Sequence, residues 1–429
     1  MFYLAYNILS IFLLIPVIFY HLYRSVSRGR PPAFRERFGH VAAPDLASIG
    51  SKPVIWLHAV SVGESIAARP LLKALRLLYP DYAILVSNTT ETGRTISSTF
   101  PEKDLCIYFP FDFLPAVRTA LRSIRPALII IMETEIWPNF TREATRLGIP
   151  VMLANGRISD RSFGRYLKFA WFFRHSLRQF SSLCMQTEVD RKRIIAIGAA
   201  PERTVVSGNL KYDIPFHPVE EVEKAELRRQ YAIPNTLMAI VAASTHPGEE
   251  ELILAAYREL LTTCDNLFLL LVPRHPERAI EVAALLERMK LPYRRRTTLT
   301  ALNAPLFQGG QVLLVDTIGE MMALYALSDL AFVGGSLKPT GGHNLLEPAS
   351  LGIPSLFGPY MNNFREIADL VLKYGAGIKI KEPEKLAETL RTVVTNATLR
   401  QVLGQNGLKM MRDNGGATKN QMQEIARYL

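Results

Sequence analysis

Cysteine is scarce in this chain. The three in 429 residues, Cys106, Cys184 and Cys264, lie far apart, and no CxxC pair occurs. That excludes a disulfide framework and a cysteine zinc site, and it fits a reducing compartment. None of the eight histidines falls in HExxH or an equivalent ligand spacing, so no metal cofactor is expected. There is no P-loop, and no G-x-G-x-x-G with the acidic residue that a dinucleotide fold requires. With 26 Gly and 27 Pro, there is no collagen-like or low-complexity bias. Acidic residues are outnumbered, 39 against 50 basic ones, for a net charge of +11. That balance suits an anionic partner: nucleic acid, a membrane surface or a phosphorylated substrate. The basic residues are dispersed and no nucleic-acid module is recognisable, so nucleic acid is not the expected partner. Hydrophobic residues at 48% and charged ones at 21% exclude global disorder. The length suits two or three domains.

One apolar run stands apart. Residues 2–23, FYLAYNILSIFLLIPVIFYHLY, carry no Lys, Arg, Asp or Glu. About 20 residues of this kind are enough to cross a hydrocarbon core. No small-residue cleavage site follows and no basic segment precedes, so the run reads as a retained anchor and not a signal peptide. Asn7, Pro16 and His21 soften it, which leaves open an interfacial helix in one leaflet. Arg24, Arg28, Arg30, Arg35 and Arg37 follow, against Glu36 alone. By the positive-inside tendency, this end and the rest of the chain stay cytoplasmic.

Beyond the anchor, continuous Val/Ile/Leu runs alternate with helix-like stretches, the pattern of parallel sheets covered on both faces. Strands are expected at 54–60, 82–88, 105–111, 127–135 and 149–155, and again at 237–245, 266–275, 311–316, 329–336 and 353–359. A seam falls in KYDIPFHPVEEVE, 211–223. The expectation is an α/β protein with an anchor at 1–23 and two Rossmann-like domains, 24–212 and 213–429, facing a cleft. Ligands of such sheets bind at the carboxyl ends of strands, and the polar clusters sit at those ends.

In HAVSVGES (58–65), Glu64 opens a helix, where the dipole favours an ionised carboxylate suited to act as a base. The same Ser61-x-x-Glu64 spacing is a capping box, so the residues alone leave both readings open. In METEIWPN (132–139), strand alternation would send Glu133 and Glu135 to opposite faces. In VPRHPER (272–278), Arg274 lies between a strand and a helix, where a phosphate can be held. In FVGGSLKPTGGHNLLEP (332–348), two Gly pairs let backbone approach a ligand, with Asn344 to Glu347 expected on the next helical turn. Smaller polar clusters are ANGRISDRS, GNLKYD, STHPGEE and DTIGEM. The aromatic run 171–173 is assigned to the core.

In this order, HAVSVGE, METEIWPN, ANGRISDRS, GNLKYD, STHPGEE, VPRHPER, DTIGEM and GGHNLLEP resemble the 3-deoxy-D-manno-octulosonic acid (Kdo) transferases of lipopolysaccharide synthesis. Coverage runs from the N-terminal segment to about residue 359. The resemblance implies a GT-B glycosyltransferase with an acceptor-binding domain first and a nucleotide-sugar domain second. It implies an enzyme of the bacterial inner membrane, facing the cytoplasm. Its donor would be CMP-Kdo and its acceptor the tetraacyl lipid A precursor, with inversion, release of CMP and no metal. Glu64 is then the implied general base, and Glu133 and Lys211 the transition-state stabilisers. Pro273, Arg274, Gly319, Glu320, Met321, Asn344, Leu345, Leu346 and Glu347 are the implied CMP-binding positions. Two other expectations stand beside it: a GT-B transferase using a different nucleotide sugar, and a non-catalytic tethered binder of anionic lipid or nucleic acid.

Overall fold

Every residue of VIWLH and AILVSN is buried, as runs of β-branched and large apolar side chains demand when both faces of a sheet are covered. The computed structural model describes residues 2–29, 32–299 and 306–429. Arg30, part of the basic flank, lies outside them, as does Met1.

The first unit runs through Asp213 and takes in Asn414–Leu429 as well. Its strands are β1 (Val54–His58), β2 (Ala83–Asn88), β3 (Leu105–Tyr108), β4 (Pro126–Met132), β5 (Val151–Gly156), β6 (Ser182–Met185) and β7 (Thr204–Val206). They form a parallel sheet in the order β3-β2-β1-β4-β5-β6-β7. Alternation splits β1 between two cores. Val54 and Trp56 pack with Val117, Leu121 and Phe140, whereas Ile55 and Leu57 pack with Leu71, Leu72 and Leu75.

The second unit is Ile214–Asp413. It holds β8 (Met238–Thr245), β9 (Leu267–Pro273), β10 (Tyr293–Arg295), β11 (Val312–Leu314), β12 (Leu330–Val333), β13 (Ser355–Phe357) and β14 (Gly377–Lys379). These are also parallel, ordered β10-β11-β9-β8-β12-β13-β14.

In both sheets the order reverses beside the first strand, between β1 and β4 and between β8 and β12. Connections leave such a pair in opposite directions and open a crevice at the strands' carboxyl ends. The loops after β1, β4, β8 and β12 therefore occupy the two ligand positions that the topology creates.

The assignment of 213–429 to the second domain is corrected at its end. Asp213 accepts backbone N–H bonds from Gly416 (2.6 Å), Ala417 (3.3 Å) and Thr418, which caps helix Ala417–Ile425 on the first unit. Ala417, Met422 and Ile425 then complete the core that contains Leu71 and Leu75.

The helix Phe2–Arg28 includes, among the described residues, the one stretch long and apolar enough to cross a membrane. Its partly covered residues, among them Tyr3, Asn7, Ser10, Leu14, Val17, His21 and Arg24, recur at alternating steps of four and three, which is one helical stripe. Leu4, Phe12, Ile15 and Phe19 are exposed on the rest of its circumference. The core assignment of 171–173 is corrected in part. Trp171 is 63% exposed, Phe172 meets Phe2 of this helix at 5.1 Å, and Phe173 packs on the core.

Candidate active site

Two clusters occupy the switch points, one in each unit. In the first, β1 leads into Ser61, which caps helix Val62–Leu78. Ser61 Oγ accepts the Glu64 N–H (3.4 Å) and donates to Glu64 Oε1 (3.0 Å), while Glu64 Oε2 accepts the Val60 N–H at 2.8 Å. The capping box is thus formed, and it fixes the carboxylate at the mouth of the crevice. Burial pushes Glu64 up to about 6; the Val60 N–H opposes this, the Glu133 charge adds to it, and Ser61 and Lys211 oppose it. A carboxylate of that basicity is ionised at neutral pH and still able to hold a proton.

Glu133 follows β4 with φ 54°, in the left-handed region that costs a non-glycine residue energy. Its N–H still bonds Ala154 O at 2.8 Å, so the chain turns immediately after the last ladder position. This overturns the expectation that Glu133 and Glu135 diverge. The extended strand stops at Met132, alternation does not continue, and both acids share the Glu64 neighbourhood. Burial raises Glu135 to about 7, reinforced by Glu64 and Glu133. No role for Glu135 follows from METEIWPN alone, because the turn that brings it in has no signature in residue type.

Lys211 comes from the loop after β7, and its Nζ stands 4.0 Å from Glu133 Oε1. Asn155 shapes that loop. Its side-chain Oδ1 accepts the Leu210 N–H at 3.0 Å, and Asn209 Oδ1 accepts the Lys211 N–H at 3.0 Å. Glu64, Glu133 and Lys211 are therefore brought together from three separate motifs. Behind them lies His58, wholly buried, stacked on Phe109 at 3.8 Å and held near 3 by burial, hence neutral.

In the second unit, the buried carboxylate of Glu249 accepts four backbone N–H groups: His246 (3.0 Å), Gly335 (2.7 Å), Ser336 (2.9 Å) and Leu337 (2.8 Å). It staples the loop after β8 to the loop after β12. Gly335, at φ 65°, gives the turn its hand, and a Cβ there would meet the His343 ring at 2.9 Å. His343 Nε2 lies 2.8 Å from His246 Nε2. Burial lowers both imidazoles, His343 to about 4. Both residues belong to the polar cluster STHPGEE, but neither the staple nor the pair has a local sequence signature, since their partners lie 86 to 97 positions away.

Arg274 follows β9, exposed, with no side-chain ion pair among the described residues. Its charge bears on His343 and on Glu347. Burial raises Glu347, opposed by the Asn344 side chain at 3.4 Å and by Arg274. The expectation of Asn344 to Glu347 on one helical turn is corrected. Helix Leu346–Ser350 begins later, and Asn344 Oδ1 accepts the Leu346 N–H at 3.1 Å from outside it. Leu345, Leu346 and Pro273 are buried, so they can meet a ligand through backbone alone. Glu320 pairs with Arg296 at 3.0 and 3.1 Å, Gly319 turns at φ 95°, and Met321 starts helix Met321–Ala326. Among the described residues, no group of three or more His, Cys, Asp or Glu is placed to hold a metal ion.

Two parallel Rossmann-like sheets, each with its polar loops at the switch point, are the architecture of the GT-B fold. The same fold is seen in MurG from Acinetobacter baumannii, at a TM-score of 0.51 and 15% identity over 88% of this chain and 99% of that one. The C-terminal CMP-Kdo binding domain of WaaA from the same organism is 32% identical, with a TM-score of 0.40, covering 44% of this chain and 97% of that chain. The family model for 3-deoxy-D-manno-octulosonic-acid transferase (kdotransferase) matches residues 32–214. The 3-deoxy-D-manno-octulosonic acid transferase of Haemophilus influenzae is 34% identical over 410 residues, 93% of each chain. The chain belongs to the Kdo transferase family and is a glycosyltransferase of lipopolysaccharide synthesis.

Proposed function

We propose that the chain moves Kdo from CMP-Kdo to a hydroxyl of the tetraacyl lipid A precursor, inverting the anomeric centre and releasing CMP. The observation that carries this reading is the Glu64 carboxylate, raised to about 6 and set beside Glu133 and Lys211 at the switch point of the first unit. Glu64 takes the proton of the acceptor hydroxyl as its oxygen attacks the ketosidic carbon. The bond from that carbon to the CMP phosphate breaks, and CMP leaves with the electron pair. Glu133 offsets positive charge growing on the sugar ring, and Lys211 pairs with the donor's carboxylate or phosphate. In the second unit, Arg274 balances the departing phosphate. Pro273, Gly319 to Met321 and Asn344 to Glu347 hold the nucleotide, in part through backbone.

One displacement with one base needs no covalent nucleophile. Protein cations meet the charge on the phosphate, so the transfer is proposed to run without a metal. Loss of activity in EDTA, restored by one divalent ion, would refute that part. The proposed setting is the cytoplasmic face of the bacterial inner membrane, supported by the apolar N-terminal helix and the arginines after it.

The test is a transfer assay on the full chain in detergent, with CMP-Kdo made in situ and the tetraacyl bisphosphate acceptor, read by mass spectrometry. Wild type should add mass in Kdo units and Glu64→Gln should not. Wild type that binds CMP yet leaves this acceptor untouched would overturn the acceptor assignment.

A further inference from the structure

The N-terminal helix meets the first unit at a polar knot. Asp112, four residues beyond the end of β3, accepts the backbone N–H groups of Asn139 (3.0 Å) and Phe140 (2.8 Å) through its two carboxylate oxygens. These are donors that the start of helix Pro138–Arg146 would otherwise leave free. The same carboxylate accepts the Tyr6 hydroxyl at 2.7 Å. Asn139 Nδ2 donates to Asn7 Oδ1 at 2.8 Å and to the Asp112 carbonyl at 2.9 Å. Apolar contacts flank the knot. The Tyr6 ring lies 5.9 Å from Phe172, and the Arg142 guanidinium sits 4.1 Å over the Tyr3 ring. Contacts continue to His21, whose ring is 5.5 Å from Phe111.

A helix serving only as a tether needs apolar side chains and no such partners. Here two polar residues inside an apolar helix find fitted partners on the globular unit. Those partners lie at the start of the helix that follows the acidic loop: Glu133, Glu135 and Trp137 run directly into Pro138 and Asn139. The Trp137 carbonyl closes the first turn by accepting the Thr141 N–H at 3.0 Å. Freedom at Asn139 is therefore freedom for the loop that presents Glu133, and a misplacement of about 1 Å at a reacting centre can cost 10²-fold in rate.

We propose that the N-terminal helix is a working part of the acceptor side of the active site, its Tyr6 and Asn7 docking on Asp112 and Asn139 to hold the Glu133–Trp137 loop in place against Glu64. Tyr6 and Asn7 are positioning residues, and the inference rests on the proposed function in taking Glu64 and Glu133 as the reacting centre. It makes anchoring and catalysis separable. Tyr6→Phe removes one hydroxyl and keeps the ring, and Asn7→Leu removes one acceptor and keeps the helix apolar.

The experiment compares wild type with the double variant Tyr6→Phe/Asn7→Leu, both full-length, in three measurements. These are flotation with anionic vesicles, amide hydrogen exchange over residues 133–141, and steady-state Kdo transfer in detergent. The expected result is unchanged flotation, faster exchange over 133–141, a kcat lowered about tenfold or more, and an unchanged KM for CMP-Kdo. Unchanged exchange overturns the docking, and faster exchange with full kcat overturns its role in the site. A wild type that transfers no Kdo refutes the proposed function instead. The exchange comparison then decides the docking by itself: faster exchange sustains it and unchanged exchange ends it.

Discussion

Lys211 Nζ stands 4.0 Å from Glu133 Oε1, which sets a cation among the acids around Glu64. Lys211 lowers the proton affinity of Glu64, and Glu133 raises it. Lys211→Met removes the lowering influence. If Glu64 is the base, the acid limb of kcat/KM is expected near 6 in wild type and should move to higher pH in the variant, with kcat falling about 10–10³-fold. A pH–rate profile checks both, and an unmoved limb would mean that Glu64 is not the titrating base.

Glu64→Gln should lose about 10²–10⁴-fold in turnover while keeping its fold. Glutamine serves in a capping box, and its Oε1 can still accept the Val60 N–H. Thermal unfolding beside the transfer assay separates the two roles: full turnover with an earlier melt would leave Glu64 as a cap alone.

Glu135 carries a pH signature of its own. Its carboxyl is raised from the ordinary range to about 7 by burial and by Glu64 and Glu133. A raised group contributes stability below its ordinary pKa, and that contribution is lost as pH rises through about 7. Glu135→Gln should therefore raise the melting temperature at pH 8, by a gain on the order of 1–3 kcal/mol, and leave it unchanged at pH 4. Equal shifts at both pH values would contradict the repulsion.

Glu249→Ala leaves four backbone N–H groups without their acceptor in a buried site. The expected cost is about 3–5 kcal/mol. It would be seen as a lower denaturation midpoint and as rapid proteolysis at 334–342. Glu249→Gln should fare little better, because its amide NH₂ would face donors.

Arg274→Ala should weaken CMP binding by about tenfold or more, as expected for a truncated charge-assisted contact, with no change in melting temperature. Calorimetric titration with CMP reads this directly.

Much of the sheet architecture could be read in advance, since all ten apolar runs named as strands contain strands. β6, β7, β10 and β14 were missed because SLCM, TVV, YRR and GIK mix polar residues or Gly into three or four positions and stand in no longer apolar run, whereas the equally short β11 and β13 lie within QVLLVD and IPSLFGP. Glu64, Glu133 and Arg274 could be placed near the carboxyl ends of strands in advance because each follows a buried apolar run, and the structure has them there. Glu135 was misjudged because alternation was carried past Met132, where the backbone had already turned. The Glu249 staple, the histidine pair and the Asp213 cap join residues 86, 97 and 205 positions apart, and no local pattern encodes such contacts.

The return of the last helix also bears on how the chain is made. Ala417, Met422 and Ile425 cover a face that Leu71, Leu72 and Leu75 present from much earlier in the chain. The second unit, about 200 residues long, is translated between the two, and at about 5–20 residues per second that takes roughly 10–40 s. Throughout that interval the side of this core that the last helix covers stays open to chaperones or to aggregation, although the sheet already backs its leucines. The final helix acts as a closing latch, and maturation of the first unit is timed by completion of the second.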